Sequence, residues 1–294
     1  MDCLERIIAA TDLSAPARHA AERAALVSRE TRAALDLLHV AHMPPLERLR
    51  LLVGAAAPGM EGHVLHLAQQ KLAQLSAALL QRYGVASDTE VVQGNLVDEL
   101  TRRTQAAAAG LLVCGARGES VVRRLVLGTT AARILGAAAW PVLVVRAAPH
   151  EPYRRALVPV DFSPASPRAV RHARAVAPGA EIVLLHACDV PFEGHMRYAG
   201  VDAATIGHYR LVAEHEARLR MEALCAEAGL GPGEAVRVVL HGDPILRIVA
   251  QEGECDCDLV VVGKHGASLA EKLLLGSVTS HVLAESAGDV LVSV

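Results

Sequence analysis

The chain has 294 residues, of which 52% are hydrophobic and 2% aromatic, and its formal net charge is −3. At about 100–200 residues per domain, this length predicts two domains. The composition predicts cores that are filled by aliphatic side chains. The 29 basic and 32 acidic residues are well mixed, which argues against nucleic-acid binding and against a polybasic membrane anchor.

Targeting and membrane signals are not apparent in the sequence. Acidic residues stand near the start, where a signal peptide needs a basic segment followed by an apolar one. The longest apolar run, 134–145, contains Pro141 and is shorter than the ~20 residues that cross a bilayer. Six cysteines without regular spacing do not form a disulfide framework. We therefore expect a cytoplasmic protein without membrane contact, in which Cys114 is buried and reduced.

Short apolar runs alternate with helical patterns along the first half of the chain. The runs predict strands at 7–10, 35–40, 91–92, 111–114 and 142–145, and the patterns between them predict helices at 16–31, 64–83, 96–109 and 129–138. The runs are apolar throughout, as expected for parallel strands that are covered on both faces. This alternation predicts an α/β fold with an open, doubly wound parallel sheet.

The second half of the chain repeats the first, which is the main organisational signal. Residues 6–14 match 155–163, 37–39 match 184–186, 111–115 match 259–263, and 141–145 match 290–294. Gly94 and Gly115 are 21 residues apart, and so are Gly242 and Gly263. We therefore predict two domains in tandem, 1–148 and 152–294, joined through a segment that ends at Pro152.

The second half also predicts its own helices and one irregular segment. The helices are expected near 167–177, 206–228, 244–253 and 277–287. Residues 189–207 are rich in Gly and His and show no clear periodicity, so we expect a loop there.

Each half carries a glycine pattern after its fourth strand. It reads Gly115-x2-Gly118-x9-Gly128-Thr129 in the first half and Gly263-x2-Gly266-x9-Gly276-Ser277 in the second. A glycine at a strand end lets a ligand approach the backbone, and Gly118 and Gly266 suit turns with positive φ. Thr129 and Ser277 are expected to cap the helices that follow. Because a helix N-terminus beyond the carboxyl ends of parallel strands binds phosphate well, the pattern predicts a nucleotide site.

The pattern belongs to neither of the commoner glycine signatures, because it has no P-loop lysine and no G-x-G-x-x-G after the first strand. With an aspartate after the first strand of each half, Asp12 or Asp161, it resembles universal stress protein domains of the UspA type. ATP-binding members of that family carry G-x2-G-x9-G-[S/T] at this place. The resemblance covers the chain apart from 43–62 and 189–207. It implies two Rossmann-like (nucleotide α-hydrolase-like) domains with ATP and Mg²⁺ as ligands.

The resemblance also implies which residues bind the nucleotide. In the first domain they are Asp12, Val40, Gly115, Gly118, Gly128, Thr129 and Thr130, and in the second they are Pro159, Asp161, Ala187, Val262, Gly263, Gly266, Gly276, Ser277 and Val278. The aspartates would approach the ribose or the phosphates, Val40 and Ala187 the adenine, and the glycine loops the ribose and phosphates. Ala10 stands where the second domain has Pro159, and Thr130 where it has Val278. We therefore expect unequal affinities, with the second domain the closer match.

Several of these residues have an alternative structural interpretation. The glycines could serve turns alone. Asp12 and Asp161 could cap the helices that follow them, a task that Ser14 and Ser163 could share. His39 and His186, at the ends of strands, are expected to be structural. Arg124 and Lys272 could meet the terminal phosphates or face solvent, and no catalytic or metal-ligating residue is assigned.

The sequence leaves three functions open. The leading hypothesis is an ATP-binding regulatory protein of the stress response, and the alternatives are a slow ATPase and a ligand-free scaffold or chaperone-like module. No base–nucleophile pair or dedicated cationic clamp is evident, which argues against an enzyme. The closing strands 141–145 and 290–294 are apolar edges that require a partner. Family resemblance implies that they pair, so that the chain is a pseudo-dimer with a possible homodimer built from it.

Overall fold

The computed structural model describes residues 4–41, 60–108, 110–116, 127–190, 193–266 and 275–294. The chain divides into two compact units, Met1–Pro152 and Tyr153–Val294. Each unit contains five parallel strands that alternate with helices along the described chain. The α/β fold with two doubly wound parallel sheets is therefore confirmed.

The first unit orders its strands β3-β2-β1-β4-β5. The strands are β1 (Arg6–Ala10), β2 (Ala34–Ala41), β3 (Ser87–Gln93), β4 (Leu111–Gly115) and β5 (Val142–Val145). The helices are α1 (Ala15–Thr31), α2 (Met60–Tyr83), α3 (Leu96–Ala106) and α4 (Thr129–Ala137).

The second unit repeats this arrangement, with the strand order β10-β9-β6-β7-β8. The strands are β6 (Arg155–Pro159), β7 (Glu181–Cys188), β8 (Ala235–His241), β9 (Leu259–Gly263) and β10 (Asp289–Ser293). The helices are α5 (Ser166–Val176), α6 (Glu193–Tyr198), α7 (Ala203–Glu227), α8 (Pro244–Glu254) and α9 (Ser277–Glu285).

Aliphatic strands and alanine-rich helices build both cores. Ile7 in β1 and Leu157 in β6 are completely buried, as expected for parallel strands covered on both faces. Helix α1 turns Ala20 and Ala24 toward the sheet, and both are fully buried. Small side chains let a helix lie close to a sheet, which is how a chain with few aromatic residues reaches dense packing.

The register of each sheet brings the ends of separate strands to one edge. In the first unit Ala9 of β1 pairs with Leu37 of β2 and Val113 of β4. In the second, Leu157 of β6 lies between Val183 of β7 and Val260 of β9. Because these strands are parallel, the loops that follow them meet at the carboxyl edge, where open α/β sheets bind ligands.

Two segments differ from the sequence-based prediction. The third strand covers Ser87–Gln93 rather than residues 91–92 alone. Its polar residues, including Asp88 and Glu90, interrupt the apolar pattern that is typical of the other strands. Polar residues are usual on a strand at a sheet edge. The expected loop at 189–207 is also wrong, because it contains α6 and the start of α7. Asp202 caps α7 by accepting a hydrogen bond of 2.9 Å from Thr205 N.

The state of Cys114 agrees with the sequence-based expectation of a buried thiol. Cys114 is buried, and its burial raises the pKa of the thiol to about 12, so the thiol stays protonated at neutral pH. All five cysteines in the described ranges are free. None of the helices in the described part of the chain combines the length and the hydropathy that a bilayer crossing requires.

Candidate functional site

A cavity of about 530 Å³ opens at the carboxyl edge of the second sheet. Its walls come from the ends of β6, β7 and β9 and from the first turns of α5, α8 and α9. These segments are far apart in sequence and meet only because the parallel strands end side by side. The position is the one at which doubly wound sheets hold ligands.

All the second-domain residues that the family resemblance implied line this one cavity. They are Pro159, Asp161, Ala187, Val262, Gly263, Gly266, Gly276, Ser277 and Val278. The structure thus brings the predicted set together, while the binding role of each residue stays a prediction. Leu185 and Ile248, both buried, add apolar surface to the wall.

Helix α9 presents an uncapped N-terminus to the cavity. Its N-cap is Gly276, with φ −58° and ψ 153°, and no side chain caps the helix. The expectation that Ser277 is the cap was wrong by one residue, and the same holds for Gly128 and Thr129 at α4. The first-turn N–H groups therefore lack a side-chain acceptor, which favours an anion at this point.

The described ends of the second glycine motif are held by hydrogen bonds to their neighbours. Gly276 N donates to Lys264 O over 3.0 Å, and Lys264 N donates to Ser293 O over 2.6 Å. Thr279 Oγ1 donates to Gly263 O over 2.6 Å, which ties α9 to the end of β9. These bonds join the end of β9 to the start of α9 on one side of the cavity.

The glycines of this loop are required by close approach rather than by unusual dihedral angles. A Cβ on Gly263 would stand 3.1 Å from His265 O, and one on Gly266 would stand 2.9 Å from Asp161 Oδ2. Gly266 is not among the glycines with positive φ, so that expectation was wrong. Because a Cβ at Gly266 would press on the carboxylate, this glycine lets Asp161 reach the loop.

Asp161 is held by the turn that follows β6. Its Oδ1 accepts hydrogen bonds from Ser163 N at 3.0 Å and from Ser166 Oγ at 2.9 Å. Phe162, which lies between Asp161 and Ser163, has a left-handed φ of 59°. Leu13, which follows Asp12 in the first domain, has a left-handed φ of 65°. Non-glycine residues rarely adopt this conformation, so its repetition shows that both aspartate turns have the same backbone form.

The capping hypothesis holds for one serine and fails for the second domain. Ser14 caps α1 by accepting a hydrogen bond from Ala17 N at 3.3 Å. Asp12 accepts from Ser14 N at 3.0 Å instead of capping the helix itself. The N-cap of α5 is Ala165, and no side chain caps that helix, so neither Asp161 nor Ser163 has the capping role.

The two strand-end histidines bond to the backbone, as expected for structural residues. Nδ1 of His39 lies 2.8 Å from Thr11 O, and Nδ1 of His186 lies 2.8 Å from Val160 O. A carbonyl can only accept, so Nδ1 carries the proton. Burial lowers the pKa of His186, and its ring centroid lies 4.3 Å from that of Phe162. His186 therefore contributes a neutral ring to the cavity wall.

The first domain has its predicted residues at the matching edge of its own sheet. Asp12 follows β1, Val40 is in β2, and Gly115 ends β4. Gly128 precedes α4, whose first two residues are Thr129 and Thr130. The N–H of Gly128 donates to Ala116 O over 2.9 Å. Gly118, Arg124 and Lys272 lie outside the described residues.

Several residues of the second cavity were missed by sequence reasoning. They are Ser163, Ser166, Pro244, Ile248, His265 and Thr279. Gly242 stood out in the repeat, but nothing in the sequence showed that the helix after it, α8, would form a wall of the site. Ser166 and Thr279 carry a detectable signal, because the first domain has alanine at both matching positions.

A cluster of charged side chains lies elsewhere in the second unit. Ligand atoms of Asp189, Glu193 and His241 lie within 4.8 Å of one another. Glu193 accepts hydrogen bonds from Arg210 and, at 2.7 Å, from Arg197. The Arg210 contact contributes most to lowering the pKa of Glu193 to about 2. Two arginines on the central carboxylate make this an ion-pair network rather than a cation site.

The fold and the cavity define a two-domain α/β protein whose second sheet has a ligand-sized site at its carboxyl edge. A sequence profile of the universal stress protein family matches residues 4–146 and again residues 152–293. The chain therefore belongs to the universal stress protein family and contains two of its domains in tandem.

Individual relatives agree with this assignment. The chain is 29% identical over 240 residues to a universal stress protein from Mycolicibacterium smegmatis, which covers 79% of this chain and 77% of that one. It is 28% identical to universal stress protein MJ0577 from Methanocaldococcus jannaschii over 158 residues, or 48% of this chain and 94% of that protein.

A solved structure shows the same fold. It is the crystal structure of a universal stress protein from Archaeoglobus fulgidus, which matches with a TM-score of 0.69 at 19% identity. The match covers 98% of this chain and 97% of that one.

Proposed function

We propose that this protein is an ATP-binding regulator of the stress response and that its second domain holds the nucleotide in the cavity described above. The observation that carries the proposal is that all nine residues implied for this domain line that cavity. Its volume of about 530 Å³ lies within the range of about 300–1,000 Å³ that is usual for small-molecule sites.

The walls of the cavity suit the three parts of ATP. The adenine would lie against apolar residues such as Ala187 and Val262, and the ribose beside Asp161. The phosphates would lie at the N-terminus of α9, whose first-turn N–H groups have no side-chain cap. Ser163 Oγ is buried in the same wall without a hydrogen-bond partner among the described residues. A polar ligand would supply that missing partner.

Magnesium would accompany the nucleotide in this proposal. Mg²⁺ prefers carboxylate and phosphate oxygens and neutralises the charge of the phosphates. Asp161 offers the carboxylate beside the glycine loop, since a Cβ on Gly266 would stand 2.9 Å from its Oδ2. In the first domain Asp12 and the Gly128–Thr130 turn would have the same roles.

A regulatory role requires only that the nucleotide binds one state of the protein better than another. No arginine or lysine of the described ranges lines the cavity, so the site offers more for binding than for phosphoryl transfer. The cytoplasmic location and the pairing of subunits or domains through the closing strands stay predictions from the sequence.

Calorimetric titration of the purified full-length chain with ATP tests the proposal, in the presence of Mg²⁺ and with the metal chelated. We expect saturable binding that is tighter with Mg²⁺. Mass spectrometry of the small molecules released on denaturing fresh protein gives an independent reading. No binding at millimolar Mg·ATP, and no released nucleotide, would favour the ligand-free scaffold instead.

A further inference from the structure

We propose that Ser166 is a positioning residue for the nucleotide site of the second domain. Its hydroxyl fixes the carboxylate of Asp161, and the turn that it stabilises leaves Ser163 to contact the ligand. This inference rests on the proposed nucleotide binding, and it assigns the residues that make the second site the tighter of the two.

Ser166 makes two hydrogen bonds with the residue that it positions. Its Oγ donates to Asp161 Oδ1 over 2.9 Å and accepts from Asp161 N at 3.2 Å. Together with the bond from Ser163 N to the same Oδ1, these contacts fix the rotamer of the carboxylate. With Oδ1 occupied by two donors, Oδ2 is directed to Gly266 and the glycine loop. A fixed acceptor binds a ligand without a further loss of side-chain entropy.

The first domain lacks this contact because Ala17 occupies the equivalent position. Ala17 is five residues after Asp12, as Ser166 is five residues after Asp161. Both residues are 4% exposed, and the helix continues with buried Ala20 in one domain and buried Ala169 in the other. The two positions are therefore equivalent in the fold, and the alanine methyl group cannot hold the carboxylate of Asp12.

The serine two residues after each aspartate also differs in its contacts. Ser14 Oγ accepts a hydrogen bond from Ala17 N and so caps α1. Ser163 has no such task, since α5 starts later and has no side-chain cap. Its Oγ is buried in the cavity wall without a partner among the described residues. A buried hydroxyl without a partner costs free energy, which a ligand donor or acceptor would restore.

Asp161 and Ser163 together recognise a donor-rich part of the ligand. A carboxylate can only accept hydrogen bonds, whereas a hydroxyl can accept and donate. The hydroxyl groups of a ribose and the water shell of a phosphate-bound Mg²⁺ both offer such donors. Titration of 2′-deoxy-ATP, and of ATP with the metal chelated, separates these two sources.

A double-mutant cycle tests the positioning role directly. The Kd of Mg·ATP is measured by calorimetry in a Gly128→Val background, which disables the first site. Ser166→Ala is expected to weaken binding about fivefold, because the Asp161 carboxylate loses one of its two described donors. Asp161→Ala is expected to weaken it more, and Ser166→Ala should then add nothing. Ser280→Ala, an exposed serine on α9, is the control and should leave the Kd unchanged.

The reverse substitution gives an independent test that does not depend on the folding of Ser166→Ala. Ala17→Ser, measured in a Gly276→Val background, should tighten the first site severalfold by supplying the missing hydroxyl. If the Gly128→Val parent does not bind ATP, the proposed function fails at this site. If the parent binds and Ser166→Ala leaves the affinity for Mg·ATP unchanged, the positioning role is wrong. It is also wrong if Ser166→Ala weakens binding by the same factor in the Asp161→Ala variant.

Discussion

Thr279 Oγ1 donates a hydrogen bond of 2.6 Å to the carbonyl oxygen of Gly263, which joins the first turn of α9 to the end of β9. Both residues line the cavity, and Thr279 is buried. The bond therefore fixes the distance between the N-terminus of α9 and the strand that bears the first motif glycine. Ala131 takes this position in the first domain, so that domain lacks the tie.

Replacing Thr279 by valine removes this bond and keeps the side-chain shape. We expect the free energy of unfolding to fall by about 1–2 kcal/mol, because the half-buried carbonyl of Gly263 loses a donor. The affinity for Mg·ATP should fall as well, since the helix end is no longer fixed. Urea denaturation and calorimetry measure the two effects, with Ser280→Ala as the control. Unchanged stability in Thr279→Val would show that the tie contributes nothing.

The serines that follow the two aspartates should differ in their contribution to stability. Ser14→Ala removes a helix cap, which typically costs about 1 kcal/mol. Ser163→Ala removes a hydroxyl without a partner in the described structure, so it should leave stability unchanged or raise it. Thermal unfolding of both variants without ligand provides the comparison. Equal destabilisation by the two substitutions would contradict the contacts described for Ser163.

The parts of the fold and of the site that could be predicted from the sequence are those that depend on residues close together along the chain. The apolar strands are local signals, and they predicted both sheets. The nine residues that the family resemblance implied for the second domain line one cavity, and their binding role stays a prediction. The third strand was largely missed because Ser87 and Asp88 stand at a sheet edge, where side chains need not be apolar. The difference between Ser166 and Ala17 marks the position in the sequence. The role of Ser166 was still missed, because it depends on the path of the turn after Asp161.

Gly276 offers a substitution that should abolish nucleotide binding without harming the fold. A Cβ at this position would lie 3.5 Å from Lys264 O and 3.7 Å from Thr279 Oγ1, which are ordinary contacts. Its φ of −58° is open to any residue, so a larger side chain at this position does not strain the backbone of the turn.

We therefore expect Gly276→Ala to keep its melting temperature and to bind Mg·ATP weakly, and Gly276→Val to lose binding at the second site. The added carbon atoms occupy the space that the phosphates would take at the helix N-terminus. Titration calorimetry measures the affinity, and differential scanning calorimetry of the same samples measures the melting temperature, so that binding is separated from folding. Wild-type affinity and stoichiometry in Gly276→Val would place the phosphates elsewhere.

Acid should destabilise the second domain through His172. Burial, with Arg168 and Arg171 nearby, lowers the pKa of His172 to about 4 from the ordinary 6.5, and its Nδ1 lies 2.7 Å from Ser293 Oγ. Between these pH values the unfolded chain binds a proton that the folded chain does not. The free energy of unfolding should therefore fall as pH drops from 6.5 toward 4, by up to about 3 kcal/mol.

Denaturation at pH 7, 6, 5 and 4.5 measures this loss, and His172→Gln should flatten the profile because glutamine does not titrate. His208→Gln, at an exposed position, is the matched control and should keep the wild-type slope. Glu193 does not interfere in this window. Its pKa is lowered to about 2, so its contribution is complete above about pH 4.5 and is lost only below it. An unchanged slope in His172→Gln would show that other groups cause the acid sensitivity.

Hydrolysis of ATP should be too slow to be the function of this site, with a turnover well below the ~1–10³ s⁻¹ that is usual for enzymes. In the proposed complex the N–H groups at the start of α9 would stabilise a phosphate that is already bound, whereas catalysis requires groups that bind the transition state better. Among the described residues no arginine or lysine lines the cavity to stabilise charge on a transferring phosphoryl group.

Steady-state release of phosphate under excess ATP tests this expectation, on the wild type and on Asp12→Ala/Asp161→Ala. The double variant removes the carboxylate after the first strand of each domain, which is the group best placed to hold Mg²⁺. We expect slow release in the wild type and a small change in the variant. Turnover of several per second in the wild type, lost in a variant that remains folded, would overturn the regulatory interpretation. The aspartates would then be catalytic groups and the protein an ATPase.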